Sequence, residues 1–318
     1  MQTHIFTAKQ IKKAAALIQQ GELVAFPTET VYGLGVNACD AEAAKKIFIA
    51  KGRPSDNPLI VHIADKKDLV KIASIPASKK NLVETLIKKF WPGPLTIILR
   101  KKSSIPLVVS GGLNTVAVRM PDHPIAQTLI ASAGVPIAAP SANLSGKPSG
   151  TCFEHVFDDF NGKIAGIIKS KKCAIGLEST VVDLTTKKPV LLRPGGLSIE
   201  LLKKVLPDLQ VHAHNTSSKV KSPGMKYAHY APDAKIILFE QSAHQKISTY
   251  AARFKEENKK VKILRTGTIK NISKNVFSLF RQCDKDGIDY ILISSVPEKG
   301  IGVALMNRIR KAAYQIVQ

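Results

Sequence analysis

The sequence holds few of the features that mark a secreted, membrane-spanning or metal-binding protein. It has four cysteines in 318 residues, and no two of them have the short spacing of a zinc or redox motif. The eight histidines form no metal-binding helix pattern either, so we expect no structural metal. No apolar run approaches the roughly 20 residues of a membrane-spanning helix, and residues 1–20 lack the apolar core of a signal peptide. These absences predict a cytoplasmic protein with no membrane partner.

Acidic and aromatic residues are also scarce. There are 24 Asp and Glu against 47 Lys and Arg, which gives a formal net charge of +23, and the excess is spread along the chain. Such a surface attracts RNA non-specifically, but aromatic residues make up only 6% of the chain and no RNA-binding module is recognisable. The composition therefore favours a lysine-rich solvated surface, with some cations grouped in an anion site, over a dedicated RNA groove.

The pattern of apolar residues divides the chain in two. Over the first 200 residues or so, β-type apolar runs alternate with helical patterns, which predicts an α/β domain. A polar stretch rich in Ser, Pro and Gly then interrupts the pattern, and beyond it three β-α pairs predict a small parallel, Rossmann-like sheet. That sheet carries no glycine-rich dinucleotide motif. We therefore place the N-terminal domain at 1–206, a linker at 207–234 and the C-terminal domain at 235–318.

Individual elements follow from hydrophobic periodicity and capping signals. Strands are predicted at 23–26, 95–99, 115–118, 137–139, 180–183, 235–239, 261–264 and 290–293. Helices are predicted at 11–18, 82–90, 125–130, from Ser198 onward, and from about 302 to 316.

Residues 51–58 (KGRPSDNP) are the most informative segment about the chemistry of a binding site. Pro54 and Pro58 each remove a backbone donor and fix φ, so the run predicts a turn and not a helix or a central strand. Lys51 and Arg53 both suit a phosphate group, the first as a point charge and the second as a bidentate fork. Taken alone, the segment is explained equally well as a solvated basic loop.

A phosphate-binding loop of the Walker type is absent. The nearest match is SGKP at 145–148, which lacks the upstream glycine and has proline where serine or threonine is required. Any phosphate site must therefore be built from separate cations, hydroxyls and amides.

The chain resembles the threonylcarbamoyl-adenylate synthases, in the longer version with an extra C-terminal domain. Besides residues 51–58 and PSAN at 140–143, six further motifs carry the resemblance in order along nearly the whole chain. They are FPTETVYGLG at 26–35, FWPGPLT at 90–96, VAVR at 116–119, STVVD at 179–183, LRPGG at 192–196 and SPGMKYAHYAP at 222–232. The resemblance implies a YrdC-like twisted mixed sheet around a central cavity in the N-terminal domain.

The activity that the resemblance implies is synthesis of L-threonylcarbamoyl-adenylate from L-threonine, bicarbonate and ATP, with release of pyrophosphate. The product would serve threonylcarbamoyladenosine modification of tRNA, completed by a separate tRNA threonylcarbamoyltransferase, and a weak direct tRNA contact stays open. Because the carbamate nucleophile arrives as an anion, orientation and charge neutralisation matter more than a strong protein base. Mg2+ would enter with ATP and need no dedicated protein site.

The resemblance also implies roles for individual residues. Its signature tetrad, which would be catalytic, is Lys51, Arg53, Ser141 and Asn143. The residues expected to bind ATP are Lys51, Arg53, Asn57, Thr115, Ser141, Asn143, Ser149, Arg193, His229 and Tyr230. Those expected to bind L-threonine are Thr30, His62, Arg119, Ala139 and Ser179.

Several of these residues also fit simpler structural roles. Without the resemblance, His62 would be interpreted as a satisfied core histidine, and the serines as loop hydrogen-bonding groups. Glu29 and Glu178 could bind a cation, but a polar role in a turn explains them as well. His229 and Tyr230 are expected to fold over the nucleotide as a lid that excludes water, against the alternative of a passive spacer.

Two further functions compete with the synthase hypothesis. An RNA-binding protein with a vestigial pocket has no reason to keep Arg119, Ser179 and the whole tetrad together. A carbamoyltransferase acting on a protein or small molecule would need accompanying domains that this chain does not contain.

Overall fold

The computed structural model describes residues 2–211, 230–264 and 267–318 of the chain. Within these ranges the chain forms sixteen strands and ten α-helices. The strands are β1 (His4–Phe6), β2 (Val24–Phe26), β3 (Gly33–Asn37), β4 (Ile60–His62), β5 (Ala73–Ser74), β6 (Leu95–Lys101), β7 (Thr115–Arg119), β8 (Ile137–Ala139), β9 (Gly166–Ile168), β10 (Thr180–Asp183), β11 (Val190–Arg193), β12 (Gln210–Val211), β13 (Lys235–Phe239), β14 (Val261–Leu264), β15 (Tyr290–Ser294) and β16 (Ala313–Val317). The helices are α1 (Ile11–Gln19), α2 (Ala41–Lys51), α3 (Leu69–Ile72), α4 (Lys80–Phe90), α5 (Pro124–Ala133), α6 (Phe153–Phe160), α7 (Ile199–Lys203), α8 (Ile247–Glu256), α9 (Ile269–Lys285) and α10 (Gly302–Ala312).

The first domain is built on a mixed sheet of twelve strands. Its order is β1-β9-β2-β3-β8-β4-β7-β6-β10-β11-β12, with β5 beside β6. The sheet contains both parallel pairs, such as β4 with β7, and antiparallel pairs, such as β6 with β7. The predicted mixed-sheet fold of this domain is confirmed.

Helices cover both faces of one half of this sheet. Side chains alternate along β2, so that Val24 and Phe26 pack with α1 and α5, whereas Ala25 joins a cluster that contains Ile47 of α2. Helix α1 buries Ile11 and Ile18 on a single stripe, as its periodicity predicts.

The middle of the sheet keeps one face open. Val61 of β4 and Val118 of β7 point into the main core, whereas Ile60 and Ala117 form a small separate cluster on the opposite face. Strand register places Ile60 beside Ala117, so the two strands present this second face together. Polar residues that follow on this face are therefore available to a ligand.

The second domain contains a parallel four-stranded sheet in the order β14-β15-β13-β16. Helix α8 packs on one face of it, and helices α9 and α10 pack on the other. The predicted small Rossmann-like domain is confirmed. The predicted final helix, in contrast, is wrong beyond Ala312, because residues 313–317 form β16 and pair with β13. Tyr, Ile and Val in this segment favour an extended chain, and β13 offers an edge to pair with.

The two domains are in direct contact. One face of helix α9 contacts the first domain through residues at helical spacing. Asn275 is bonded to Lys172 at 2.7 Å, and Arg281 is paired with Asp159 at 2.6 Å. The first sheet also extends through β12, past the predicted domain end at residue 206. Among the described helices, none is long and apolar enough to cross a membrane.

Candidate active site

The open face of the first sheet forms one wall of a pocket. The pocket holds about 690 Å³ of space, open solvent at its mouth included. The described residues that line it are Thr28, Thr30, Val31, Tyr32, Gly33, Lys51, Arg53, Ile60, His62, Arg119, Ala139, Pro140, Ser141, Asn143, Ser145, Gly146, Lys147, Glu178, Ser179, Arg193 and Tyr230. The structure thus brings together the whole tetrad, the five residues predicted to bind threonine, and Arg193 and Tyr230.

Lys51 closes helix α2 and does not lie in a turn as predicted. The turn begins at Gly52, which caps the helix in the left-handed conformation at φ 59°. The Lys51 side chain is 3% exposed, and its Nζ donates to the carbonyl oxygens of Ser141, at 2.7 Å, and Asn143. Burial and the nearby positive charge of Arg53 hold the pKa of Lys51 well below its ordinary value. Lys51 therefore anchors the 141–147 loop as well as lining the pocket.

The 141–147 loop is braced by its own side chains. The Ser141 hydroxyl donates to Oδ1 of Asn143 at 2.5 Å, and the Asn143 amide donates to the carbonyls of Leu144 and Lys147 at 2.7 and 2.9 Å. The backbone N–H of Ser145 donates to the Lys51 carbonyl at 2.9 Å. The SGKP segment that fails as a Walker motif thus contributes to the pocket wall by another route.

Arg53 lies beside this loop, on the pocket side of the 52–58 turn. Its Nη2 donates to the carbonyls of Asn57 and Pro58 at 3.3 and 3.4 Å. These two bonds fold the turn back on its own arginine, which keeps the guanidinium at the pocket.

His62 and Arg119 stand side by side, because β4 and β7 pair them in register. Nδ1 of His62 lies 3.1 Å from the Ile60 carbonyl, which can only accept a hydrogen bond, so Nδ1 carries the proton and Nε2 is an acceptor. Burial, together with the charge of Arg119, lowers the pKa of His62 to about 3. The imidazole is therefore neutral near pH 7.

Arg119 is held by a buried carboxylate. Its Nη2 lies 2.6 Å from Oε1 of Glu29, and its Nε donates to the Gly93 carbonyl at 3.3 Å. Both side chains of the pair are under 10% exposed. Glu29 is thus explained as the ion-pair partner of Arg119 beside the pocket.

Ser179 and Arg193 form a second fixed group. Arg193 donates through Nε and Nη2 to the Ser179 carbonyl at 3.1 and 2.9 Å, and through Nη2 to the Ser179 hydroxyl at 3.2 Å. The Ser179 hydroxyl also bonds to Thr96 at 2.7 Å. The Thr30 hydroxyl bonds to that of Thr28 at 2.8 Å, and the Thr30 carbonyl accepts from the backbone N–H of Gly176 at 3.0 Å.

Three predicted ATP contacts lie outside the pocket lining. Thr115 begins β7, and the Ser149 hydroxyl is buried and donates to Oε1 of Glu178 at 2.5 Å. Asn57 is 2% exposed, and its two side-chain amide atoms have no hydrogen-bond partner among the described residues. His229, predicted to bind ATP, falls outside the described part of the chain.

Tyr230 is fixed from several sides. It has φ 72°, a conformation that costs a tyrosine energy and persists only when the surroundings enforce it. Its ring stacks on Phe277 with the centroids 5.4 Å apart, and the following N–H, of Ala231, donates to the Gly146 carbonyl at 3.0 Å. Tyr230 thus joins the second domain to the 141–147 loop.

Basic side chains outnumber acidic ones in the lining of the pocket. The described lining includes five of them, Lys51, Arg53, Arg119, Lys147 and Arg193, against the single carboxylate of Glu178. Two of the five are paired with carboxylates outside the lining, Arg119 with Glu29 and Lys147 with Asp233. Such an excess suits a ligand that carries several negative charges.

Comparison of the sequence with known proteins identifies the family of this chain. The family model described as Telomere recombination, which groups the Sua5, YciO and YrdC proteins, matches residues 16–195, and the model of the threonylcarbamoyl-AMP synthase C-terminal domain matches residues 197–314. A threonylcarbamoyl-AMP synthase from Pyrococcus abyssi is 50% identical, with 97% of this chain and 96% of that protein covered. One from Bacillus subtilis is 45% identical, with 96% and 93% covered. The chain belongs to the threonylcarbamoyl-AMP synthase family.

A solved structure of the same family supports the assignment in three dimensions. The crystal structure of P. abyssi Sua5 complexed with L-threonine matches with a TM-score of 0.95 and 48% sequence identity, and 99% of each chain is covered. The predicted family, the fold class and the prediction of an enzyme are thereby confirmed.

Some residues of the pocket were not predicted from the sequence. Thr28 and Gly33 lie inside a motif that was recognised, so their place in the pocket follows from Thr30 between them. Lys147 lies in the segment that fails as a Walker motif. The link between Glu178 and Arg308 of α10, at 2.8 Å, spans 130 positions and has no local signal.

Proposed function

We propose that the protein joins L-threonine, bicarbonate and ATP into L-threonylcarbamoyl-adenylate and releases pyrophosphate, for threonylcarbamoyladenosine modification of tRNA. The observation that carries this proposal is a single pocket that brings together both sets of predicted residues. Its lining includes Arg53, Arg193 and the 141–147 loop, expected to bind ATP, and also Thr30, His62 and Arg119, expected to bind L-threonine. The L-threonine complex of the P. abyssi relative supports an amino-acid site in this fold.

At the nucleotide end, Arg53, Arg193 and Lys147 would neutralise the triphosphate. Lys51 uses two of its three N–H groups to hold the loop carbonyls, and the third would reach a phosphate oxygen. Ser141 and Asn143 would bind the nucleotide from the same loop. These groups fit a pentavalent phosphorus with a departing pyrophosphate, because charge builds up on oxygens that the cations surround.

Asn57, Thr115 and Ser149 are proposed as further nucleotide contacts. The case is best for Asn57, because a buried amide without a partner is costly and a ligand would satisfy it. Ser149 would act through Glu178, to which its hydroxyl is bonded.

At the amino-acid end, Arg119 would bind the threonine carboxylate. Because Nε2 of the neutral His62 is an acceptor, it would receive the hydrogen bond of the threonine hydroxyl. Thr30, Ser179 and the backbone of Ala139 would complete the site. A site that bonds to the substrate hydroxyl rejects analogues without one, since its own polar groups would be left unpaired.

The reaction would proceed by attack of the threonine amine on the carbon of bicarbonate, with loss of water, to give a carbamate. A carbamate oxygen would then attack the α-phosphorus, and pyrophosphate would leave. The residues of this chain would hold the two substrates in line and neutralise the negative charge of the phosphates. We propose that Tyr230 and His229 lie over the nucleotide as a lid that excludes water.

Mg2+ would be carried in by ATP. The one carboxylate in the described lining, Glu178, is already bonded to Ser149 and to Arg308, so the residues present fit a metal held by phosphate oxygens and water. When bound, the ion would neutralise phosphate charge.

The product would pass to a separate tRNA threonylcarbamoyltransferase, and the basic surface would allow a weak contact with tRNA. We propose a cytoplasmic location, which the four free cysteines support. We also propose that the catalytic domain extends through β12, past the expected boundary at residue 206, and that the C-terminal domain begins after residue 234.

Pyrophosphate release from ATP tests the proposal. L-threonine, bicarbonate and Mg2+ are omitted in turn, and we expect release to require all three. Folded protein that releases no pyrophosphate in response to threonine would contradict the synthase function and favour an RNA-binding role.

A further inference from the structure

Arg308 of helix α10 is fully buried, although removing a guanidinium from water is costly. Its Nε donates to Oε2 of Glu178 at 2.8 Å, and its Nη2 donates to the Pro194 carbonyl at 3.0 Å. Its guanidinium carbon lies 5.2 Å from the centre of the Tyr230 ring, in a cation–π arrangement. One side chain of the second domain therefore contacts three separate segments next to the pocket.

The partners of Arg308 form part of the pocket wall. Glu178 and Tyr230 line the pocket, and Pro194 directly follows Arg193, which also lines it. Arg308 stands behind them and is not among the described lining residues. A substitution at Arg308 would therefore affect ligand binding only through these neighbouring residues.

The Glu178 carboxylate is both oriented and kept charged. Its Oε1 accepts from the Ser149 hydroxyl at 2.5 Å, while its Oε2 accepts from Arg308. Burial would raise the pKa of Glu178, but the charges of Arg308 and Arg193, with these hydrogen bonds, bring it below its ordinary value. The pocket thus has one fixed negative charge in a wall lined by cations.

Apolar packing supports the same arrangement. Val31 and Leu177 of the first domain belong to one buried cluster with Tyr230 and with Phe277 of α9. The core of the second domain thus continues up to the back of the pocket.

We propose that Arg308 is a positioning residue, through which the second domain fixes the Glu178 carboxylate and the Tyr230 ring on the pocket wall. The catalytic consequence of this role rests on the proposed synthase function. The positioning itself is a property of the folded chain and can be measured without turnover.

Replacement of Arg308 by methionine removes the charge and the hydrogen bonds and keeps much of the volume. Glu178 would then lose its main counter-charge, its pKa would rise, and the freed carboxylate would turn toward Arg193. We expect kcat/KM for ATP to fall by about 100-fold, as for other small misplacements of reacting groups. The activity would also be lost at a higher pH as the solution is acidified, because Glu178 would take up its proton earlier.

The experiment compares Arg308→Met, Arg308→Lys, Glu178→Gln and the double variant Arg308→Met/Glu178→Gln with the unmodified chain. The matched control is Arg310→Met on the same helix, because Arg310 pairs with Glu240 and Glu298 inside the second domain. Readouts are the titration of the Glu178 carboxyl carbon by NMR, assigned through Glu178→Gln, the calorimetric affinity for ATP, and the pH profile of pyrophosphate release.

The expected results are a raised pKa of Glu178 and weaker ATP binding in Arg308→Met, with Arg310→Met unchanged. The double variant should be no worse than Arg308→Met alone, because both changes remove the same unit. Arg308→Lys should be intermediate, and it serves as the test if the methionine variant does not fold.

An unchanged Glu178 titration and unchanged ATP affinity in a folded Arg308 variant would overturn the positioning role. These two readouts judge it even if the unmodified chain releases no pyrophosphate, which would be a failure of the proposed function alone.

Discussion

Two buried arginine–glutamate pairs flank the pocket, and they join different parts of the chain. Arg119 and Glu29 both belong to the first domain, and their side chains meet at 2.6 Å. Arg308 and Glu178 meet at 2.8 Å across the two domains. The first pair sits at the predicted threonine end, whereas the second lies behind the wall shared with the second domain.

The difference shows how the pocket is completed. The Arg119 pair is formed within the first domain, because Arg119 ends β7 and Glu29 follows β2 of the same sheet. The Arg308 pair exists only once the second domain has docked. Since an unpaired buried charge is strongly destabilising, each pair ties the integrity of the pocket to a different part of the fold.

Loss of Arg119 should have the largest effect on activity. Arg119→Ala removes the group expected to bind the threonine carboxylate and leaves Glu29 buried without its partner. We expect kcat/KM for L-threonine, measured by pyrophosphate release, to fall by at least about 100-fold, since charged hydrogen bonds to the substrate are lost. The control is Arg100→Ala, an exposed arginine on neighbouring β6, and equal activities of the two variants would contradict the assignment.

The second-largest effect is expected from a substitution that pushes the two domains apart and so lowers the free energy of unfolding. A Cβ at Gly176 would lie 2.4 Å from the Lys274 carbonyl oxygen of α9, and the residue has φ +80°. Gly134 has φ +67° with nothing within 4 Å of its Cβ position, so Gly134→Ala isolates the backbone strain. In urea unfolding we expect Gly134→Ala to cost about 1 kcal/mol and Gly176→Ala about 1–3 kcal/mol more, the cost of a steric overlap. Equal losses would show that the docking is looser than the structure indicates.

The neutral state of His62 gives a pH test of the threonine end. Its pKa is about 3 in the folded chain, below the unfolded value, so the unfolded chain binds more protons as the pH falls below about 6.5. The resulting loss of stability should reach about 2 kcal/mol at pH 5. His62→Gln should remove this part of the acid sensitivity in unfolding experiments from pH 7 to pH 4.5.

The matching control is His4→Gln, because His4 is exposed on β1. A His62→Gln variant that loses stability with acid as steeply as the unmodified chain would show that His62 is not buried neutral.

The smallest effect is expected at an exposed contact between the domains. Lys172 donates to Asn275 at 2.7 Å on the surface. Lys172→Ala should change the free energy of unfolding by less than about 0.5 kcal/mol, because water replaces the contact. A loss as large as that of Gly176→Ala would mean that burial is not what distinguishes the contacts between the domains.

Local patterns predicted much of the fold. Strands at 137–139 and 180–183 are found with the predicted bounds, since short apolar runs define them locally. The chain end was predicted as helix up to residue 316, because the pairing of β16 with β13 depends on residues far away in sequence. Lys51 was assigned to a turn, since the proline-rich run after Gly52 obscured the end of α2.

The same distinction between local patterns and long-range contacts applies to the residues of the site. Arg119 and the tetrad were predicted because they occur in motifs that resemble a known family. Arg308 was not predicted, because nothing near it in sequence indicates that Glu178 is its partner. Ser149 stays a predicted nucleotide contact, and its hydroxyl is bonded to Glu178, which lines the pocket.

Transfer of label from bicarbonate tests most directly whether both substrates meet in this one pocket. The chain is incubated with labelled bicarbonate, ATP, Mg2+ and L-threonine, and the nucleotide product is isolated. We predict a labelled adenylate that forms only with L-threonine and is absent with Arg119→Ala. Label in a nucleotide product without threonine, or undiminished product from Arg119→Ala, would contradict the account.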